Sequence, residues 1–180
     1  LLEGRPDGVQ LMVVPRKPER FEEVAALAPW VRRSRRPGQA GATAPDGGGS
    51  SAAPADLFLV DTMGEAEAAT ALADVVAVGR SWNGLGASNP VPPALLGKPT
   101  VIGPDHENFS ELVEALVADG AVMVSPEAWK GIGAILDDPE MRARMEAAGL
   151  EAVGRHRGAT ERNVALIRDV LRGTARSRLG

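Results

Sequence analysis

The sequence contains no cysteine, only two histidines, and no apolar run near the roughly 20 residues that a membrane-spanning helix needs. Without cysteine there is no disulfide scaffold, no thiolate metal site and no thiol nucleophile, a usage that fits a reducing compartment. With His106 and His156 as the sole imidazoles, a histidine-based metal centre is disfavoured, and no metal-ligand set stands out elsewhere. Strong charge of one sign is also missing. The 24 acidic and 20 basic residues leave a net charge of -4, so no global field draws the chain to nucleic acid or to an anionic membrane. The first residues, Leu-Leu-Glu-Gly-Arg-Pro-Asp-Gly, lack the pattern of a signal peptide. We therefore expect a soluble chain with no nucleic-acid partner. At 180 residues it is long enough for one domain with a real core. It begins without Met and enters an apolar run, Val9 to Val14, almost at once, which leads us to expect a fragment of a longer protein.

Short apolar runs alternate with helical patterns, the signature of an α/β fold in which helices wrap a parallel sheet. Strands are predicted at Val9–Val14, Trp30–Arg33, Asp56–Val60, Asp74–Val78, Thr100–Ile102 and Ala121–Val124. Helices are predicted at Glu19–Leu27, Ala66–Leu72, Pro92–Leu96, Ser110–Ala118, Glu127–Leu136 and Pro139–Leu171, the last interrupted near Gly154–Gly158. Gly97 and Gly120 sit where C-caps are expected, and Ser125, before Pro126, where an N-cap is expected. Residues 34–55, Arg-rich and then rich in Gly, Ala, Pro and Ser, are expected to form a mobile loop, and 173–180 a tail. Arg32, Arg33, Arg35 and Arg36 read most simply as a solvated edge, with phosphate binding the lesser alternative.

Ligands of an open parallel sheet bind at the carboxyl ends of its strands. Three loops qualify. In Val14-Pro15-Arg16-Lys17-Pro18 a guanidinium follows a strand, and Arg16 either stacks on a base, pairs with a phosphate, or lays its apolar stem over the sheet edge. In Asp61-Thr62-Met63-Gly64-Glu65 the glycine lets backbone amides approach an anion at a helix start. Thr62 and Glu65 equally suit a capping box. The third loop, Ser81 to Pro93, has glycines at 84 and 86 that permit close backbone approach. Its Asn89 suits either a helix cap or a ribose hydroxyl. His106, with Asn108, follows the strand ending at Ile102 on the same side.

Taken in order, Pro15-Arg16-Lys17-Pro18-Glu19-Arg20-Phe21, Asp61-Thr62-Met63-Gly64-Glu65, Val78-Gly79-Arg80-Ser81, Asn89-Pro90, Gly97-Lys98-Pro99, and Gly103-Pro104 with Asn108-Phe109 resemble one family. It is the 3-deoxy-D-manno-octulosonic acid (Kdo) transferases, lipid A glycosyltransferases of the GT-B fold, and the likeness is to their C-terminal half, from about Val9 to Arg172. The resemblance implies a Rossmann-like parallel sheet with helices on both faces, in a single nucleotide-sugar-binding domain covering 1–180, with the acceptor domain absent. It implies that Pro15 and Arg16 contact the nucleotide, that the backbone of Met63, Gly64 and Glu65 surrounds its phosphate region, and that Asn89 completes the site, with Ser81, Gly86 and His106 as additional candidates. The donor would be CMP-Kdo, with no cofactor and no metal. The acceptor would be a lipid A precursor, bound by a missing N-terminal half that also supplies the general base. The whole enzyme would work at the cytoplasmic face of the inner membrane, associating with it only through that half.

Three segments depart from the family pattern. Pro92 replaces the glutamate of Asn-Pro-Leu-Glu-Pro, Arg80 the second glycine of Gly-Gly-Ser, and Gly86-Ala87-Ser88 stands for Gly-Gly-His. Loss of the glutamate carboxylate at position 92 leaves two other readings open: a GT-B transferase or epimerase for another nucleotide sugar, and a degenerate nucleotide-binding module without catalysis.

Overall fold

The computed structural model describes residues 2–35, 56–156 and 164–171. Most of the loop expected at 34–55, residues 157–158 of the break expected in the last helix and the 173–180 tail lie outside the described residues, while the helix from Pro139 continues through Gly154 to His156. The parallel α/β character holds. Six strands form two three-stranded parallel ladders among the described residues, ordered β1-β3-β2 and β4-β5-β6. These are β1 (Leu11–Val13), β2 (Val31–Arg32), β3 (Leu57–Leu59), β4 (Val76–Ala77), β5 (Thr100–Ile102) and β6 (Val122–Val124). The strand predicted at Trp30–Arg33 is β2, which lies at one edge of its ladder.

Helices α1 (Phe21–Ala25), α2 (Ala66–Leu72), α3 (Val91–Leu95), α4 (Ser110–Ala118), α5 (Ala128–Leu136) and α6 (Pro139–His156) connect and cover the strands. Residues 164–171 are also helical. The central strand β5 is buried throughout, and its neighbouring side chains enter different cores because they alternate across the pleat. Ile102 joins Val78, Ala94, Val113, Leu116, Val122 and Ala152. Val101 joins Ile132, Ile135 and Met145. The second ladder therefore has helices on both faces. Each fully buried Ile or Val contributes about 1.5–3 kcal/mol relative to exposure, so these two clusters fix the carboxyl ends of β4, β5 and β6 in place.

Glycine ends the two crossover helices by the same device. After α3, Gly97 at φ 63° donates to Ala94 O at 3.0 Å and Lys98 donates to Pro93 O at 2.9 Å. After α4, Gly120 at φ 80° donates to Val117 O and Ala121 to Leu116 O, each at 2.9 Å. Both pairs are Schellman motifs, which need a left-handed residue that glycine adopts without Cβ strain.

Helix starts differ from expectation. Helix α2 begins at Ala66 with Glu65 as its N-cap and without a side-chain cap bond, so the Thr62/Glu65 capping box does not form. The Thr62 hydroxyl instead donates to the Glu65 carboxylate. Helix α5 begins at Ala128, one residue later than expected, and Ser125 does not cap it: its Oγ donates to Glu127 O at 2.7 Å.

Candidate functional site

In the first ladder Val13 pairs with Leu59 and Arg32 with Leu59, so the segments leaving β1, β2 and β3 emerge from one edge. Pro15 and Arg16 follow β1, Pro15 half-buried and Arg16 exposed. The Asp61–Glu65 turn follows β3. Its Met63 is 66% exposed and its Gly64 lies at φ 81° with open space where a Cβ would stand. Met63 and Gly64 thus present backbone to solvent, the property the sequence suggested.

Arg32, which ends β2, and Arg33, which follows it, are not a solvated edge. The Arg32 side chain is 12% exposed and donates through Nε to Asp61 Oδ2 at 2.6 Å, while its Nη1 reaches Glu22 Oε2 at 2.9 Å. Asp61 is fully enclosed. It also accepts from the Ser34 amide at 2.8 Å and the Ser34 hydroxyl at 2.6 Å. Ser34 therefore belongs to a short 3-10 turn, Arg33–Arg35, and not to the loop expected to start there. Burial works to raise the Asp61 pKa, but the Ser34 hydroxyl and amide and the Arg32 guanidinium outweigh it and hold the carboxyl below its ordinary value. Arg33 reaches Glu65 Oε1 through Nη2 at 2.8 Å and Nε at 3.1 Å. The Thr62 hydroxyl first, and Arg33 with it, hold the Glu65 carboxyl low as well, against the opposing effect of desolvation. Arg35 is exposed, and Arg36 lies outside the described residues.

The second ladder brings its two carboxyl-end loops together. Ser81, after β4, is completely buried; its Oγ donates to Val78 O at 2.7 Å and accepts from the Gly103 amide at 2.8 Å. Ser81 O accepts from the Asp105 amide at 3.0 Å, and Asp105 Oδ2 accepts from the Gly84 amide at 2.5 Å. Asn108 clamps Ala87 at both ends of its amide, Oδ1 accepting from Ala87 N at 2.8 Å and Nδ2 donating to Ala87 O at 2.9 Å. Gly86, at φ 71°, passes so close that a Cβ would stand 2.8 Å from Asn108 Oδ1. His106 Nδ1 lies 2.7 Å from Gly103 O. A carbonyl only accepts, so Nδ1 is the donor in this contact. Asn89 is exposed, and its Oδ1 accepts from Val91 N at 3.0 Å, which fixes its entry into α3. Pro92 is exposed in the first turn of that helix.

No family model matches the sequence. The 3-deoxy-D-manno-octulosonic acid transferase of Bordetella pertussis is 32% identical over 166 residues, which cover 89% of this chain and 37% of that protein. The Haemophilus influenzae protein of the same name is 31% identical over 170 residues, with the same shares covered. The crystal structure of the C-terminal CMP-Kdo binding domain of WaaA from Acinetobacter baumannii is similar at a TM-score of 0.66 and 32% identity, covering 80% of this chain and 73% of that one. The chain belongs to the 3-deoxy-D-manno-octulosonic acid transferase family. It spans 37% of the length of the curated Kdo transferases it matches.

Seen as a Kdo transferase domain, the molecule divides its sequence-predicted site residues by exposure. Arg16, Met63 and Gly64 are exposed in the turns after β1 and β3, Asn89 is exposed at the entry to α3, and Glu65, Gly86 and His106 are partly exposed. Ser81 has no exposed surface and laces the two loops from beneath. Sequence reasoning missed the bracing residues Arg32, Arg33, Ser34, Asp61 and Asp105. A usable signal existed in the cation cluster ending one strand and the carboxylates ending another. Only strand order says that those ends adjoin.

Proposed function

We propose that this chain is the donor half of a Kdo transferase and binds CMP-Kdo at the carboxyl ends of its strands. The observation that carries this reading is its likeness, at 32% identity over 80% of the chain, to a solved CMP-Kdo binding domain. In this reading Pro15 and Arg16 contact the nucleotide, the backbone of Met63, Gly64 and Glu65 surrounds the phosphate, and Asn89 takes the ribose. Gly86 and His106 form a further wall. Transfer proceeds by direct displacement at the anomeric carbon of the sugar, with the CMP phosphate leaving. The Arg16 charge and the amides of the Gly64 turn stabilise that phosphate as it gains negative charge. The general base and the lipid A precursor site lie in an acceptor half outside this sequence, and the assembled enzyme works at the cytoplasmic face of the inner membrane. No cofactor enters beyond the donor. Among the described residues no helix is long and apolar enough to cross a membrane.

Titration calorimetry with CMP, CDP, UMP and UDP tests the assignment. CMP is expected to bind tightest, and Arg16→Ala to weaken it. Tighter UDP binding would overturn the CMP assignment in favour of another nucleotide sugar. A chain whose melting temperature no nucleotide shifts, even at millimolar concentration, would be a degenerate module, the reading that the exposed Pro92 favours.

A further inference from the structure

Residues Arg32, Arg33 and Ser34 contribute nothing to the nucleotide contacts above, yet all three close on the Asp61–Glu65 turn. Strand register sets this up: Arg32 pairs with Leu59, so the segments leaving β2 and β3 run out side by side. Arg32 and Ser34 meet on Asp61 at the start of the turn. Arg33 reaches Glu65 at its end, placing two N–H groups on Oε1, while the Thr62 hydroxyl takes Oε2. Both carboxylate oxygens are thereby occupied by the protein, which makes the Glu65 side chain a strut and leaves the backbone of the turn to face a ligand. Between the two anchors lie Thr62, Met63 and Gly64, whose left-handed glycine lets the chain reverse.

We propose that Arg33 is a positioning residue of the donor site: its guanidinium holds the Glu65 carboxylate, and with it the Met63-Gly64-Glu65 backbone, in the shape that receives the nucleotide phosphate. This rests on the donor-site reading. Arg33 is the member of the network that can be tested cleanly, because it and Glu65 are each 33% exposed. Removing buried Arg32 would instead strand the enclosed Asp61 charge and unfold the domain.

The experiment titrates CMP into the 180-residue chain and its Arg33→Ala, Arg33→Lys, Glu65→Gln and Arg33→Ala/Glu65→Gln variants, with thermal midpoints recorded in parallel. Arg33→Ala is expected to weaken CMP about fivefold, the scale of a partly exposed ion pair, with a midpoint shift of only a few degrees. Arg33→Lys should regain part of the loss, because it keeps the charge but not the planar fork. The double variant should bind CMP no more weakly than the worse single variant, since Arg33 acts only through Glu65; a residue that merely stabilised the fold would give losses that multiply. Unchanged affinity in Arg33→Ala, or multiplied losses in the double variant, overturns the proposal. Should Arg33→Ala fail to fold, Arg33→Lys and Glu65→Gln still decide it: CMP affinities at the wild-type level in both overturn it, and weakening in both supports it. If wild type binds CMP and Arg16→Ala weakens it, only the role of Arg33 is at stake. If wild type does not bind CMP, the donor-site reading fails and this proposal falls with it.

Discussion

Gly103→Ala bears most directly on how the two loops of the second ladder are held. A Cβ at this position would stand 1.9 Å from Ser81 O, 2.6 Å from the Ser81 carbonyl carbon and 2.8 Å from Trp82 Cδ1. Ordinary carbon–oxygen contact would require the Ser81 carbonyl to retreat by about 1.5 Å, and a backbone carbonyl moves only if its chain moves with it. That shift breaks three bonds at once: Ser81 Oγ to Val78 O at 2.7 Å, the Gly103 amide to Ser81 Oγ at 2.8 Å, and the Asp105 amide to Ser81 O at 3.0 Å. Overpacking costs about 1–3 kcal/mol and each lost bond about 0.5–1.5 kcal/mol. Stiffening of the unfolded chain returns only about 0.4–1 kcal/mol. We expect a net loss of about 3–5 kcal/mol, a fall in melting temperature on the order of 10 °C for a chain of this size. Gly133→Ala is the internal reference, because Gly133 lies within α5 with nothing inside 4 Å of its would-be Cβ. It should gain about 0.8–1 kcal/mol from helix propensity. Urea denaturation of both variants reads the difference. A Gly103→Ala protein as stable as wild type would refute the interlocked geometry of the two loops.

Arg80 stands at φ 74° and donates to Leu85 O, so Arg80→Ala keeps the left-handed strain while losing the bond. Arg80→Gly should therefore be the more stable of the two by about 1 kcal/mol, reversing the usual Gly–Ala order, and equal denaturation midpoints would count against it. Pro92→Glu places a carboxylate on the exposed first turn of α3 and is expected to tighten CMP by about 1–3 kcal/mol, the scale of a charged hydrogen bond, as read by calorimetry. Unchanged affinity would argue that this position does not face the ribose. The depressed Asp61 pKa makes its stabilisation complete above the ordinary carboxylate range of about 4, and that stabilisation is lost as pH falls through the lower folded-state value. Melting temperature should fall on acidification below that range, and Asp61→Asn should flatten part of the slope; an identical slope would remove Asp61 as its source. Glu22, lowered by Arg32, and Glu65 contribute in the same direction and keep the slope from vanishing.

The alternation of strands and helices was legible because its signals are local: β5 reads as an unbroken β-branched run and is buried throughout, and Gly97 and Gly120 end their helices as their positions foretold. The helix starts were not legible for the same reason in reverse. Thr62 and Glu65 have the spacing of a capping box, but Arg33, 32 residues away, competes for the Glu65 carboxylate and turns Thr62 to it. Ser125 stands before Pro126 as a cap would, but its hydroxyl finds the Glu127 carbonyl first. Local hydrogen-bond rules predict what a segment would do alone. At Glu65 a tertiary partner with a formal charge overrides them, whereas at Ser125 a backbone carbonyl two residues away does.

The same contrast separates the residues that a ligand can reach from those that shape its site. Arg16, Met63 and Asn89 are recognisable in sequence because a chemically distinctive group in a loop that follows a strand needs no knowledge of strand order, and each is exposed. Asp61, Ser81 and Gly103 look unremarkable in sequence, since an acid, a hydroxyl and a glycine suit any turn. Their roles appear only once β3 is seen beside β2 and β5 beside β4. Buried hydrogen bonds join each of them to a segment 22 to 29 residues away in the sequence. Substitutions at the two groups should therefore fail in different ways. Changes at the exposed group should alter nucleotide affinity at nearly constant stability, whereas changes at the buried group should lower stability first and affinity as a consequence. Pro92 belongs with the exposed group. Its departure from the family pattern can therefore alter what the site binds while leaving intact the fold that presents it.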